Sequence, residues 1–202
     1  MTLTWLGHAC FLLESEDGRV VFDPYEPGSV PGLTLPEVSA DLVLCSHGHH
    51  DHCHAAGVRQ SKMRAGVTVE AVSCFHDDRQ GALRGENTIH IVTAEGKRIV
   101  HMGDVGHMLS AEQVRAVGTP DVLMIPVGGY YTVDAAGAKA ICDTLKPRTI
   151  VPMHFRGPGF GYREIGEVAA FTALYDRVTE LDSSVLDVEN APGGVVVLKC
   201  SV

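Results

Sequence analysis

The chain has 202 residues, of which 45% are hydrophobic and 20% charged, a balance that suits one globular domain over residues 1–202 and excludes a fibrous or disordered polymer. A formal charge of −9 disfavours nucleic acid as a partner, because phosphate binding draws on clustered Lys and Arg that this chain lacks. No apolar run approaches the roughly 20 residues that cross a bilayer, and the six cysteines are scattered without a CxxC pair, so the expectation is a cytoplasmic protein with no membrane partner and room for a homo-oligomer.

In chain order, residues 3–6 and 10–13 are apolar runs, and the tight-turn dipeptide Asp17-Gly18 leads into Val20-Val21-Phe22, which predicts three strands by residue 23. Residues 41–46 read as a short buried strand that stops where a His-rich run begins. Residues 67–75, 88–92 and 98–102 read as further strands, the last two joined at Glu95-Gly96. Ser110-Ala111-Glu112-Gln113 has the spacing of a capping box and predicts a helix to about Val117, followed by a strand over 121–126. Thr132 or Asp134 can cap a helix through Leu145 that Pro147 ends, and residues 149–152 form a strand stopping at Met153-His154. Ile165, Val168, Ala169 and Thr172 lie at helical spacing, predicting a third helix over 164–175, and residues 195–198 close the chain as a strand. Strands first, then strands mixed with helices, predict an α/β (α+β) domain of layered sheets with polar residues placed just past strand ends.

The chain holds eleven His, about half of them between His47 and His76. The run Ser46-His47-Gly48-His49-His50-Asp51-His52 contains HxHxDH, and imidazoles two apart in an extended loop can converge on one ion while the next pair turns to another. A dinuclear site needs further ligands and one that bridges. His76, Asp104 and His154 each follow an apolar strand, and Gly103 before Asp104 lets backbone come close.

HxHxDH, then His, Gly-Asp and His, resembles the metallo-β-lactamase superfamily. Gly7-His8-Ala9-Cys10, Phe22-Asp23-Pro24, Asn87-Thr88-Ile89, the run from Ile125-Pro126-Val127-Gly128-Gly129 to Thr132, and Val151-Pro152-Met153-His154-Phe155 are similar to its ascorbate-6-phosphate lactonase-like branch. The resemblance covers most of residues 1–156 and implies a four-layer αββα sandwich. It implies two divalent ions, with zinc favoured and manganese or iron alternatives, held by His47, His49 and His76 on one side, Asp51, His52 and His154 on the other, and Asp104 between them. It also implies hydrolysis of a small-molecule substrate, an anionic lactone-type ester, by a metal-bridging hydroxide that Asp51 orients, with His8 as a second catalytic group in the pocket. Only 23 residues separate His52 from His76, so an intervening strand and helix are expected to be missing.

Beside these ligands, Asp23 is a candidate acceptor for a ligand imidazole. Tyr131, His107 and Arg156 are candidate substrate contacts, the last for a phosphate or carboxylate. His50, His54, His90 and His101 read as structural or solvated. The rival activities are hydrolysis of a small phosphodiester and, from other classes, a di-iron redox protein or a metal-binding protein without turnover.

Overall fold

The computed structural model describes residues 1–61 and 66–200. Its strands are β1 (Thr2–Gly7), β2 (Cys10–Ser15), β3 (Gly18–Phe22), β4 (Val38–Ala40), β5 (Leu42–Leu44), β6 (Val58–Gln60), β7 (Thr68–Phe75), β8 (Glu86–Ala94), β9 (Lys97–His101), β10 (Val122–Pro126), β11 (Thr149–Met153), β12 (Val178–Glu180), β13 (Val185–Asp187) and β14 (Gly194–Val197). The helices are α1 (Ala111–Val117), α2 (Ala135–Leu145) and α3 (Ala169–Thr172), with one 3-10 turn at Ala55–Gly57.

Two sheets carry the core. The smaller runs β13-β1-β2-β3-β5, antiparallel except for the parallel β3–β5 pair, and the larger runs β12-β14-β11-β10-β9-β8-β7. In the larger sheet β7, β8 and β9 are an antiparallel meander, whereas β9, β10, β11, β14 and β12 are parallel. β10 and β11 are buried at every residue, as parallel strands covered on both faces must be. The two sheets meet across a shared apolar core in which Phe22 of β3 stacks on His101 of β9 with ring centroids 5.2 Å apart. The His101 Nε2–H donates to the Ala9 carbonyl at 2.8 Å, which ties β9 to the β1–β2 turn.

The helices supply the outer layer of this αββα sandwich. Ser110 and Gln113 form both hydrogen bonds of the capping box before α1. Asp134, rather than Thr132, caps α2 by accepting from the Gly137 N–H at 2.9 Å, and Lys146 in the left-handed region ends it. α2 buries Ala138, Ile141, Cys142 and Leu145, and it contacts both α1 and α3. Between His52 and His76 the described residues hold the 3-10 turn, β6 and β7, with no α-helix, so cover beside β3 and β5 is reduced to that turn and the parallel β4–β6 pair.

Two expectations from the sequence need correction. The third helix is one turn, not twelve residues long, because the stretch before it is drawn out to brace the segment after β11. The Gly166 N–H donates to the Gly128 carbonyl at 2.7 Å, and the Arg156 N–H donates to Gly166 at 3.0 Å. The strand expected over 41–46 is an edge strand of three half-buried residues, since only β3 pairs with β5. The three-residue strands β4, β6, β12 and β13 carry too little pattern to be read in advance.

Strand ends converge on one rim. The β1–β2 turn supplies His8, the end of β3 Asp23, the loop after β5 the His47–His52 run, and the ends of β7, β9 and β11 His76, Asp104 and His154. Trp5 of β1 pins this rim from below: it is buried, its Nε1–H donates to the His8 carbonyl at 3.0 Å, and it packs on Phe155 at 5.3 Å and Phe160 at 6.0 Å. Trp5→Ala is expected to lower stability by about 3–5 kcal/mol in urea unfolding, and a loss under about 1 kcal/mol would show that Trp5 is not a keystone of the rim.

Candidate metal centre

The structure brings the seven expected ligands together. Asp104 is buried, and its Oδ2 lies 3.2 Å from the Nε2 atoms of His52, His76 and His154 alike. His47, His49 and His76 form one group of mutually close donor atoms, and His8, Asp51, His52 and His154 another, all within 4.8 Å in each group; a third, of His47, His52 and Asp104, links the two. One carboxylate oxygen cannot accept good hydrogen bonds from three imidazoles at once, yet two ligands of a tetrahedral ion are roughly 3.3 Å apart when each bond is about 2.05 Å. The spacing is that of ligands around a cation.

The unpaired atoms point the same way. His47 Nε2, His52 Nε2 and Asp104 Oδ1 are buried without a hydrogen-bond partner among the described residues. Each such atom costs about 1–3 kcal/mol unless something satisfies it, and a nitrogen and oxygen donor set suits zinc, manganese or iron. These residues fit a metal.

The opposite ring nitrogens of His52, His47 and His76 are held, whereas His154 Nδ1 is buried without a partner among the described residues. Asp23, fully buried, accepts from the His52 Nδ1–H at 2.8 Å and from the Ser46 N–H and Oγ–H at 2.6 Å each. Ser46 Oγ also lies 2.9 Å from His47 Nδ1, and His76 Nδ1 lies 3.1 Å from the Tyr131 carbonyl. Asp104 is oriented by its own N–H, which donates to Asn87 Oδ1 at 2.8 Å. Gly103, at φ +55°, must be glycine, because a Cβ there would strike Asn87 Oδ1 and Ser46. His101, expected to be merely structural, accepts from the Gly103 N–H and so steers Asp104. His8, Asp23 and His154 all have φ between +42° and +52°. Such backbone costs about 1–3 kcal/mol per residue and persists only where the surroundings impose it.

Electrostatics match this role. Burial, reinforced by His52, lowers the His47 pKa to about 3, and burial with His154 lowers that of His8 to about 4, so both are neutral imidazoles. Burial works against the Asp23 carboxylate, but His101 and the bonds from His52 and Ser46 outweigh it and bring its pKa to about 2. Burial likewise opposes ionised Asp104, and His154 and His52 overcome it, holding it well below the carboxylate range. Burial opposes charge on His52 as well, but Asp104 and Asp23 override it and pull its pKa up. The centre is built to attract positive charge.

The other sequence candidates divide. His8, 1% exposed, sits beneath the cleft with its Nε2 3.3 Å from Asp51 Oδ2. Tyr131 lines the cleft, a space of about 280 Å³ bounded also by His49, Asp51, His76, Asp104, His154, Arg84 and Tyr162. His107 does not reach it: its Nε2 accepts from the Phe75 N–H, and the ring lines a separate surface hollow. Arg156 does not reach it either, because its guanidinium pairs with Glu167 at 2.9 Å and donates to the Ile165 carbonyl. A larger hollow of about 350 Å³ at the β4–β6 pair contains no His and no part of the centre.

Tyr162 and Arg84 are the cleft residues that sequence reasoning missed. Tyr162 OH lies 3.2 Å from Asp51 Oδ2 and 2.7 Å from the Ser29 carbonyl, across more than a hundred residues of sequence. No local signal marks either residue. They follow only from knowing which loops meet.

Imidazoles and carboxylates gathered at the strand ends of a two-sheet sandwich define a metal-dependent hydrolase. The profile of the beta-lactamase superfamily domain matches residues 2–154, and the chain belongs to that superfamily. It is 32% identical over 193 residues to a UPF0173 metal-dependent hydrolase of Archaeoglobus fulgidus, covering 77% of this chain and 83% of that one. A second metal-dependent hydrolase of the same group, from Thermoplasma acidophilum, is 28% identical over 187 residues, covering 77% and 83%. Among solved structures, a Thermotoga maritima protein assigned to the Zn-dependent hydrolases of the metallo-beta-lactamase superfamily superposes with a TM-score of 0.80 at 31% identity, covering 99% of both chains.

Asp23→Asn keeps the shape of the side chain and removes the charge that receives His52. Metal affinity measured by chelator competition is expected to fall about 10–100-fold; an unchanged affinity would remove Asp23 from the centre.

Proposed function

We propose that this metal-dependent hydrolase opens a small anionic lactone-type ester with two divalent ions, zinc being the best match to the donor set. The observation that carries the reading is the position of Asp104 Oδ2, equidistant from imidazoles of both ligand groups. In this reading His47, His49 and His76 hold one ion, Asp51, His52 and His154 the other, and Asp104 serves both. The ions would polarise the ester carbonyl and bring the pKa of water near neutrality.

The chain's own groups do the rest. Asp51 faces the cleft with His8 Nε2 at 3.3 Å and Tyr162 OH at 3.2 Å from its Oδ2. Burial opposes its charge, but the hydrogen bond from His8 and the nearby His52 overcome it, so Asp51 stays ionised. An ionised carboxylate held on two sides orients a water lone pair toward the substrate and can accept its proton briefly. His8, neutral and with Nε2–H as donor, fixes the direction of that carboxylate, and burial raises the Tyr162 phenol so that it stays protonated, its one O–H shared between Asp51 and the Ser29 carbonyl.

Apart from Asp51 and Asp104, no carboxylate lines the cleft among the described residues. A di-iron redox site that adds a further carboxylate ligand is therefore not favoured. A phosphodiester remains the rival substrate, and one experiment separates it. With purified protein on matched panels, lactone hydrolysis is expected to exceed phosphodiester hydrolysis, and Asp51→Ala, assayed at saturating metal, is expected to lower kcat by at least about 10²-fold. Preference for phosphodiesters, or full activity in Asp51→Ala, would overturn the reading.

A further inference from the structure

The loop that follows His76 is built around one buried carboxylate. Asp77 is 3% exposed, and its Oδ1 accepts from the N–H groups of Arg79 and Gly81 at 2.8 and 2.9 Å, its Oδ2 from those of Leu83 and Arg84 at 2.9 and 2.8 Å. The loop then closes on the centre, since the Gly85 N–H donates to Gly81 and the His76 N–H donates to Gly85 at 3.0 Å. Four N–H bonds to one carboxylate are more than a surface turn requires. They fix the backbone of Arg84.

The side chain of Arg84 enters the cleft. Its guanidinium carbon lies 5.5 Å from the centroid of the Tyr131 ring, and among the described residues bounding the cleft it is the only Lys or Arg. No carboxylate pairs with it among the described residues, in contrast to Arg19, Arg98 and Arg156, which pair with Glu14, Glu70 and Glu167. A guanidinium laid against an aromatic face is directed but keeps its N–H fork free, the geometry that receives a carboxylate or phosphate bidentately. The whole chain is acidic, so a fixed, unpaired cation at the mouth of the cleft is a selective feature.

We propose that Arg84, supported by the Tyr131 ring and positioned by Asp77, is the specificity residue that binds an oxyanion of the substrate away from the bond that is cut. The shared chemistry is a carboxylate or a phosphate monoester carried on the substrate. The idea rests on the hydrolytic reading of the same cleft, and its test is arranged to fail separately.

Three matched lactones bearing a carboxylate, a phosphate or a neutral amide are compared in the wild type, Arg84→Ala and Arg84→Lys. The charged-to-neutral ratio of kcat/KM is expected to fall about 10–100-fold in Arg84→Ala, mainly through KM, and to recover in part in Arg84→Lys. Whichever charged arm loses more names the anion. In parallel, calorimetric binding of benzoate and phenyl phosphate is measured, with tenfold weakening or more expected in Arg84→Ala. Hydrolysis with a ratio indifferent to Arg84 overturns the proposal while leaving the hydrolase reading intact. Arg84-dependent anion binding without lactone hydrolysis supports the proposal and overturns the choice of lactone instead.

Discussion

The interaction on which the rest of the molecule depends is a buried carboxylate facing three imidazoles. Asp104 is 1% exposed, and one of its oxygens stands 3.2 Å from His52, His76 and His154. Without a cation, that arrangement leaves donors competing for one acceptor and strands the other oxygen. With one, the same distances become those between ligands. Much of the surrounding structure is explained as the means of holding this otherwise unfavourable cluster in place.

That support is layered. Asp23 gathers Ser46 and His52, Ser46 touches His47, Asn87 takes the Asp104 N–H, and His101 takes that of Gly103 while its other ring nitrogen reaches across to Ala9 of the facing turn. His8, Asp23 and His154 hold left-handed backbone around the same centre. A bound metal would therefore favour the folded chain, because it would satisfy buried donor atoms that only the folded state brings together.

The seven candidate ligands that the structure clusters were legible in the sequence because each sits at a strand end with a local mark: the HxHxDH run, Gly103-Asp104, or a His closing an apolar run. Asp23 could be suspected from its place after Phe22, and the structure gives it its partners. The helix expected over 164–175 was illegible as what it is, since its apolar spacing is real but long-range bonds to Gly128 and Arg156 override it. Arg156 was the natural guess for an anion contact by sequence nearness to His154, yet Glu167 neutralises it. Arg84 and Tyr162 belong to loops whose meeting is set by the whole fold, and no short window of sequence contains that information.

The stretch between His52 and His76 shapes what this centre can accept. Its described residues hold a 3-10 turn, β6 and β7 without an α-helix, and the cleft beside them is bounded in part by the side chains of Tyr131, Tyr162 and Arg84. The proposal that Asp104 joins two ion sites is tested most directly by metal stoichiometry. After reconstitution and removal of free metal, the account expects two ions per chain in the wild type and one or none in Asp104→Asn at unchanged secondary structure. A wild type that retains no metal, or an Asp104→Asn variant that retains both ions at full affinity, would contradict it.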